Sequence, residues 1–310
     1  MLDVDLAMGA PGSDIDDGFA LALAIADSDI QVDLVTTVNG NTDATTATAL
    51  TLELLHRLGR DDIPLHRGAG RPLLRPQARI GSVPEGIEIR RPRPQPAAAA
   101  MVDHVLAHPG EITLVAVGPL TNVALAMRLH RDFARSLKSL MIMGGVFTSL
   151  THGNAKQGEF NVWNDPEAAA IVLDADVPTR WVGLDVTTQV QFTREEALQL
   201  AADERPFAAF AGAYTVAWID YLHEKRVGTN SCAMHDPLAV AAVTHPELLT
   251  WKRAHVGVET GDRLRGAMPT EMIDSESGSG DDGPQPNAEV AVAVDVAGFH
   301  DHLLDHLRRL

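Results

Sequence analysis

The sequence predicts an α/β protein in which a mostly parallel central sheet carries helices on both faces. Short apolar runs alternate with helical patterns through most of the chain, and this β-α-β rhythm is typical of right-handed crossovers between parallel strands. Two runs, ITLVAV and SLMIM, are continuously apolar, as strands are when both faces of their sheet are covered. The chain has 310 residues, of which 45% are hydrophobic, and we expect a single domain over residues 1–310.

The individual elements follow from the apolar periodicity in chain order. Strands are predicted for the short apolar runs at 2–5, 32–38, 112–117, 137–143 and 179–184. Helices are predicted for the stretches between them, at 16–26, 43–58, 97–107, 120–129 and 166–173. The run EVAVAVDV predicts a late strand, and residues 298–310 a closing helix. Ligands of such folds bind at the carboxyl ends of the strands, so the residues that follow each strand are the first candidates for function.

Two segments differ from this rhythm. Residues 84–96, PEGIEIRRPRPQP, are basic and rich in proline, so they cannot form a regular helix, and we expect a mobile flap. Residues 193–226 have a helical pattern with no intervening strand, and we expect this helical region near the mouth of the site. Its aromatic residues have helical spacing, which favours a packed face; they are Phe207, Phe210, Tyr214, Trp218 and Tyr221.

Composition excludes several classes of protein. Lysine and arginine number 25 against 42 acidic residues, and the net charge of −17 disfavours binding to nucleic acid or to anionic membranes. The single cysteine, Cys232, excludes an internal disulfide and fits a reducing compartment. The N-terminus is acidic where a signal peptide is basic, and no apolar run approaches the ~20 residues of a membrane span. We therefore expect a cytoplasmic protein.

Acidic residues are concentrated around the end of the first strand and the start of the first helix. They are Asp3, Asp5, Asp14, Asp16 and Asp17. Helix capping accounts for one or two of them, because aspartate at a helix start accepts hydrogen bonds from free N–H groups. Five carboxylates in one place repel one another unless a cation neutralises them, and hard oxygen ligands suit Ca²⁺ or Mg²⁺. The cluster predicts a metal site.

Further polar residues follow the other predicted strands. Glu159 and Asn161 come after a glycine-bearing loop and suit hydrogen bonding to vicinal hydroxyls, while Asn39-Gly40-Asn41 follows the second strand. The sequence His235-Asp236-Pro237 begins a helical run, and from these residues alone an ordinary helix start explains the pattern better than a functional pair does. Turn formation likewise explains Asn-Gly-Asn.

Taken in order, these motifs resemble the inosine–uridine-preferring nucleoside hydrolase family. The chain contains LDVD, DIDD, TTVNGN, RGAGRPL, VGPLTN, MGG, GN, EFN, DPEA and HDPLA, which agree in order with the family pattern from residue 2 to the last predicted elements. Any one of these motifs is weak, whereas ordered agreement across nearly the whole chain is specific. The resemblance implies Ca²⁺-dependent hydrolysis of the N-glycosidic bond of ribonucleosides, which releases ribose and a free base.

The resemblance also implies a role for each matching residue. Ca²⁺ is expected to be held by Asp5, Asp17, Asp236 and the backbone carbonyl of Thr121, with Asp14 as a spare ligand. Asp16 is expected to be the general base and His235 the acid near the leaving base. The residues expected to bind the substrate are Asn41, Met143, Asn154, Glu159 and Asn161. Carboxylates around the sugar stabilise the positive charge of an oxocarbenium-like transition state.

The chain departs from the family pattern in two places. Residues 6–15 separate the two pairs of acids by more than the family spacing, and we favour Asp5 with Asp16 and Asp17 while Asp14 remains the other register. Residues 78–93 contain no histidine where many relatives have one, so the sequence does not predict the preferred base. The family also implies a homo-oligomer, either a dimer or a tetramer.

Two other classes of function remain open from the residues alone. LDVD also resembles the start of haloacid-dehalogenase-type phosphatases, in which the first aspartate, here Asp3, is the nucleophile. A non-catalytic protein that binds nucleosides or sugars is the second alternative. Ribose release from inosine, uridine and p-nitrophenyl riboside, compared with hydrolysis of p-nitrophenyl phosphate, separates the three.

Overall fold

The computed structural model describes residues 1–76, 79–148, 158–273 and 284–310. The strands in these ranges are β1 (Leu2–Val4), β2 (Val35–Thr37), β3 (Leu65–Arg67), β4 (Thr113–Ala116), β5 (Ser139–Met143), β6 (Thr179–Val182), β7 (Gln191–Thr193), β8 (Ser231–Ala233), β9 (Leu249–Val256), β10 (Thr270–Met272) and β11 (Ala288–Val294). The helices are α1 (Asp16–Ala26), α2 (Ala44–Arg57), α3 (Ala97–Ala107), α4 (Thr121–Leu129), α5 (Phe133–Ser136), α6 (Phe160–Asn164), α7 (Pro166–Leu173), α8 (Leu184–Thr187), α9 (Arg194–Ala201), α10 (Pro206–Lys225), α11 (His235–Thr244) and α12 (Val296–Leu307), with a 3₁₀ turn at Pro246–Leu248.

The main sheet contains nine strands in the order β10-β9-β11-β6-β5-β4-β1-β2-β3. Every neighbouring pair from β11 to β3 is parallel, while β9 is antiparallel to both β11 and β10. The predicted mostly parallel sheet is therefore confirmed. All the predicted strands are present within one or a few residues of their expected ends, and the parallel order brings their carboxyl ends to one edge.

Hydrophobic cores lie on both faces of this sheet. One core packs α1, α2, α11 and α12 against it, and the other packs α3, α4 and α7. The predicted strands at the centre are covered on both sides, which is why they read as continuous apolar runs. Several helices begin at a capping residue: Asp43 accepts hydrogen bonds from Thr45 and Thr46 at α2, and Asp165 caps α7 ahead of Pro166. The Asp-Pro pair of the DPEA motif is therefore an ordinary helix start.

Five of the described strands were not predicted from the sequence, among them β7 and β8, which form a separate two-stranded sheet. β3 has only three residues, and β9 and β10 form the antiparallel margin of the sheet. β9 carries the consecutive charged residues Lys252 and Arg253 on exposed positions, so it lacks the continuous apolar signal of the inner strands. Between 193 and 226 the chain forms α9 and α10, as expected, while 84–96 contains no regular helix or strand.

The residues that separate the two acid pairs form a loop that is packed into the protein. Residues 6–10 are buried, and Met8 lies against Gly18 of α1, where there is no room for a Cβ. The aromatic face of α10 lies against the same loop, with Phe210 beside Gly9 and Tyr221 beside Gly12. The longer spacing is therefore accommodated by a packed insertion that leaves Asp16 at the first residue of α1. Among the described residues, no helix combines the length and apolar character needed to cross a membrane.

Candidate active site

A cavity of about 140 Å³ opens at the carboxyl edge of the sheet, between the starts of α1 and α11. Eight of the residues predicted from the sequence line it: Asp14, Asp16, Asn41, Met143, Glu159, Asn161, His235 and Asp236. Two larger cavities, of about 650 and 880 Å³, lie at the opposite edge and contain none of the predicted residues. Size alone does not identify the site here, because the titratable side chains converge in the smaller cavity.

The acids of the first strand and first helix meet the acid of the HDPLA motif. Carboxylate oxygens of Asp16, Asp17 and Asp236 all lie within 4.8 Å of one another, although residue 236 is far away in the chain. Asp5 adjoins them, because its backbone N–H donates to Oδ1 of Asp17 at 3.0 Å. The backbone N–H of Asp236 in turn donates to Oδ2 of Asp16 at 3.0 Å.

Burial makes this cluster costly when every member is ionised. Burial and the charge of Asp16 raise the pKa of Asp5 to about 8, and burial and the charge of Asp17 raise the pKa of Asp16 to about 7. The pKa values of Asp17 and Asp236 are also raised well above the usual range, first by burial and then by the neighbouring carboxylates. Without a cation, the cluster therefore holds protons at neutral pH.

The donor atoms of the cluster suit a hard divalent cation. All four side chains offer carboxylate oxygens, and Oδ1 of Asp5 is buried with no hydrogen-bond partner among the described residues. A buried carboxylate oxygen that lacks a partner is costly unless a ligand or ion contacts it. The chain thus contains a candidate acidic metal site, and its residues fit a metal that prefers oxygen.

Two glycines allow neighbouring loops to close over Asp5. A Cβ at Gly40 or at Gly118 would overlap the Asp5 carboxylate, so neither position accommodates a side chain without displacement. The turn at Gly40 places the backbone nitrogen of Asn41 2.6 Å from Oδ2 of Asp5, to which it donates. The side-chain amide of Asn41 donates to Oδ2 of Asp17. The close approach of Asp5 therefore explains why glycine occupies these positions of the TTVNGN and VGPLTN motifs.

Glu159 and Asn161 form the wall opposite the acids. Glu159 caps α6, and its carboxylate accepts hydrogen bonds from the backbone N–H groups of Asn161, Val162 and Gly145, although burial still raises its pKa. The amide of Asn161 donates to the Val117 carbonyl at 2.7 Å and to the carbonyl of Met143 at 3.4 Å. These bonds fix the amide orientation and leave its Oδ1 for a ligand.

His235 lies at the first residue of α11, half-buried in the cavity wall. Its Nδ1 is 2.7 Å from the hydroxyl of Thr187, which leaves Nε2 for the cavity. Burial lowers the pKa of His235, and the charge of Asp14 only partly opposes this. Burial therefore outweighs the neighbouring carboxylate and favours the neutral ring, a balance that the sequence left open.

Asp14 stands beside the main cluster. It is half-buried, lines the cavity next to Asp16 and His235, and accepts a hydrogen bond from the N–H of Ile15. Burial and the charge of Asp16 raise its pKa to about 7. The group of converging oxygens contains Asp16 and not Asp14, which favours the register in which Asp16 and Asp17 face the metal site.

The sequence predicted the backbone carbonyl of Thr121, in the VGPLTN motif, as a metal ligand, but another residue of this motif lies closer to the cavity. The hydroxyl of Thr121 donates to Asp165 at 2.7 Å, and Thr121 does not line the cavity. Val117 does line it, and its carbonyl faces Asn161. Sequence reasoning missed Val117 because only its backbone takes part, and an apolar side chain gives no signal for this.

Three other positions complete the comparison. Arg79 was also missed; its guanidinium lies 4.2 Å from the ring centre of Phe160 and donates to Oδ1 of Asn41. Asp3 is fully buried away from the cavity, where its Oδ1 accepts hydrogen bonds from Thr36 and Asn122. Asn154 lies outside the described residues.

Fold and site together define an α/β protein with a carboxylate-lined candidate active site at the carboxyl edge of a parallel sheet. The model of the inosine-uridine preferring nucleoside hydrolase family matches residues 1–301. The chain belongs to this family, whose members hydrolyse ribonucleosides to ribose and a base, and the resemblance seen in the motifs is confirmed.

Relatives match along most of their length. The non-specific ribonucleoside hydrolase RihC of Salmonella paratyphi C is 36% identical over 311 residues, which is 96% of this chain and 94% of the relative. The pyrimidine-specific ribonucleoside hydrolase RihA of Citrobacter koseri is 32% identical over 302 residues, covering 94% of each chain. Among solved structures, a plant nucleoside hydrolase superimposes with a TM-score of 0.88 at 28% identity, covering 99% of this chain and 98% of the other.

Proposed function

We propose that the carboxylate-lined cavity is where this chain hydrolyses the N-glycosidic bond of ribonucleosides, and that Ca²⁺ is its metal ion. The observation that carries the proposal is the convergence of three buried carboxylates within 4.8 Å of one another, two of which, Asp16 and Asp236, line a cavity that also contains an amide wall and a histidine. Such a set offers a cation site, a base and hydrogen-bond partners for a sugar in one place.

The metal would be held by Asp5, Asp17 and Asp236. The sequence predicted the carbonyl of Thr121 as a further ligand, and the carbonyl of Val117 is the alternative that lines the cavity. When bound, Ca²⁺ would lower the pKa of a coordinated water and bind ribose hydroxyls. Oxygen-only donors favour Ca²⁺ or Mg²⁺ over zinc, which prefers nitrogen and sulfur ligands.

Asp16 is the proposed general base. It starts α1 at the cavity surface, and the hydrogen bond from the backbone N–H of Asp236 fixes one of its oxygens. The other oxygen can then accept a proton from the attacking water. A positioned base of this kind contributes on the order of 10²–10⁴-fold to the rate.

The opposite wall is proposed to bind the ribose. Glu159 carries negative charge close to where the sugar becomes positive, and Oδ1 of Asn161 can accept a hydrogen bond from a hydroxyl. Asn41, which bridges Asp5 and Asp17, and Met143 would contact the sugar from either side. Asn154 remains a predicted member of this group.

His235 is proposed to act on the leaving base. Its Nδ1 contacts the Thr187 hydroxyl, so Nε2 is the atom that would face the leaving base. Burial favours the neutral ring, so the ring would take up a proton before Nε2 passes one to the base as the bond breaks, and it would return to neutral imidazole. The effect should therefore depend on how basic the leaving group is.

A panel of substrates tests the proposal. Ribose release from inosine, uridine and p-nitrophenyl riboside should be lost on chelation and restored by Ca²⁺, with no hydrolysis of p-nitrophenyl phosphate. The position of Asp3, buried between Thr36 and Asn122, argues against the phosphatase alternative. Binding of inosine without ribose release would support the non-catalytic alternative, and full activity after exhaustive chelation would exclude the metal.

Several features stay predictions. The relatives include a non-specific and a pyrimidine-specific ribonucleoside hydrolase and a protein named as a uridine nucleosidase, so they assign no preferred base to this chain. A single domain over residues 1–310 is supported by the continuity of the nine-stranded sheet. The homo-oligomeric state and the cytoplasmic location rest on the sequence and on the family resemblance.

A further inference from the structure

A second group of metal-ligating side chains lies at the far ends of the helices that carry the acids. Asp27 follows the last residue of α1, and His245 follows the last residue of α11, while His302 projects from α12. One ligand atom from each of the three lies within 4.8 Å of the other two. At a rise of 1.5 Å per residue, α1 (11 residues) and α11 (10 residues) separate this group from the carboxylate cavity by about 15 Å.

His302 is the central member of the group. Its ring centre is 4.4 Å from that of His245 and 4.3 Å from that of His306. Its Nε2 is buried and has no hydrogen-bond partner among the described residues. A buried ring nitrogen that bonds to nothing is uncommon, because losing its hydration is costly, and a metal ion is one of the partners that compensate for this.

The local charges allow a cation. Asp27 is buried and supplies a carboxylate, and α1 and α11 both end here, so their carbonyl ends add partial negative charge. Burial and the neighbouring histidines lower the pKa of His302 to about 4, so its ring is neutral with a free lone pair at pH 7. The positive charge of Arg309 disfavours a cation near His302, but the Arg309 side chain is exposed to solvent.

We propose that Asp27, His245 and His302 form a second metal site, for a divalent transition-metal ion of the zinc class. Two imidazoles and one carboxylate match the ligands that Zn²⁺ or Co²⁺ prefers, and they differ from the oxygen-only set of the carboxylate cavity. Bonds of ~2.0–2.1 Å place tetrahedral ligand atoms roughly 3.3 Å apart, so small side-chain rotations would close the group around an ion. The site would tie together the distal ends of α1, α11 and α12.

The experiment uses the full chain, without a histidine tag, stripped of metal and then saturated with Ca²⁺ so that the carboxylate cavity is occupied. Zn²⁺ is added and binding is measured by titration calorimetry, and Co²⁺ is used to record visible absorption bands typical of histidine coordination. We expect one equivalent of Zn²⁺ and a melting temperature that rises by about 3–5 °C at ~100 times the Kd. Absence of Zn²⁺ binding by this Ca²⁺-saturated protein would overturn the proposal.

Variants assign the binding to the three residues. His302→Gln should weaken Zn²⁺ binding by on the order of 10²-fold, since the loss of even an outer-shell partner costs 10–100-fold. Asp27→Asn should do the same and is a second variant if the first does not fold. His300→Ala, on the same helix but outside the group, and Asp17→Asn, in the carboxylate cavity, should both retain the second site. Unchanged Zn²⁺ affinity in both His302→Gln and Asp27→Asn would refute the assignment.

Discussion

Replacing Asp17 by asparagine should have opposite effects on stability with and without Ca²⁺. Asp17 is fully buried, and its carboxylate takes part in two of the three close pairs formed with Asp16 and Asp236. In the metal-free protein these contacts are repulsive, whereas a bound cation makes the same charge favourable. Asp17→Asn should therefore stabilise the metal-free protein and remove the stabilisation that Ca²⁺ gives to the wild type.

The distances set the size of the effect. Two unit charges 4.8 Å apart, at an effective dielectric constant near 20, repel by about 3.5 kcal/mol. If all three carboxylates were ionised, removing the charge of Asp17 would therefore relieve about 7 kcal/mol of repulsion from its two pairs. The cluster relieves part of this repulsion by binding protons, and each unit of pKa shift corresponds to about 1.4 kcal/mol. Loss of the hydrogen bond from Asn41 to Oδ2 costs about 1 kcal/mol. We expect a net gain of about 1–4 kcal/mol in the free energy of unfolding.

The gain should grow with pH. In the metal-free folded state the pKa values of these aspartates are raised, so between pH ~4 and pH ~8 the folded state binds more protons than the unfolded state does. Stability of the metal-free wild type therefore falls as pH rises through this window, up to the pKa of about 8 at Asp5. The difference between Asp17→Asn and the wild type should be largest above pH ~8.

The assay is thermal unfolding at pH ~8.5, in chelator and in saturating Ca²⁺. The metal-free variant should melt a few degrees above the metal-free wild type, at about 1.5 °C per kcal/mol for a chain of this length, and the order should reverse in Ca²⁺. Asp165→Asn is the matched control: it also removes a buried carboxylate, one that accepts hydrogen bonds from Leu73, Thr121 and Ala168, and it should lower stability in both conditions. A variant that is destabilised equally in chelator and in Ca²⁺ would refute the argument that the acids repel and await a cation.

Three further predictions concern catalysis. Asp16→Ala should retain Ca²⁺ yet lose at least ~10²-fold in kcat, measured on inosine, and the same phenotype in Asp14→Ala instead would reverse the register across the insertion. His235→Ala should slow inosine or uridine hydrolysis by on the order of 10²-fold while sparing p-nitrophenyl riboside, whose leaving group needs no proton; equal losses on both would assign His235 to positioning. Hydrogen exchange in residues 84–96 should slow when a ribose-mimicking inhibitor binds. The ion pair between Arg90 and Glu53, at 2.5 Å, already holds part of this segment against α2. Slow exchange that the inhibitor does not change would therefore indicate a static loop.

The insertion at residues 6–15 is a place where the sequence did not decide which acids face the metal site. The sequence revealed the extra length but gave two possible registers, one with Asp14 and one with Asp16 and Asp17. The structure favours the second, because Met8 fills the space beside Gly18 and the loop packs beneath Phe210 and Tyr221, so that α1 begins at Asp16. Packing between distant segments decided this, and no local pattern records it.

The sequence by itself determined six strands of the main sheet, most of the helices and the family. Continuous apolar runs identify strands that are covered on both faces, and parallel strands bring the residues that follow them to one edge, so the acids, the amides and His235 were predicted to meet. Those inferences use only the order of residues along the chain and the geometry of a βαβ unit, which is why they hold without knowledge of long-range contacts.

Only the tertiary structure decided which atoms meet. Asp3 and Asp5 are two residues apart, yet Asp3 accepts hydrogen bonds from Thr36 and Asn122 away from the cavity, while Asp5 accepts one from the backbone of Asn41 beside the acid cluster. The contribution of Val117 lies in a backbone carbonyl, an atom that every residue has. The group of Asp27, His245 and His302 joins three helices from distant parts of the chain. A sequence specifies which chemical groups are present, but their convergence depends on packing between elements far apart in the chain, and only the folded molecule expresses it.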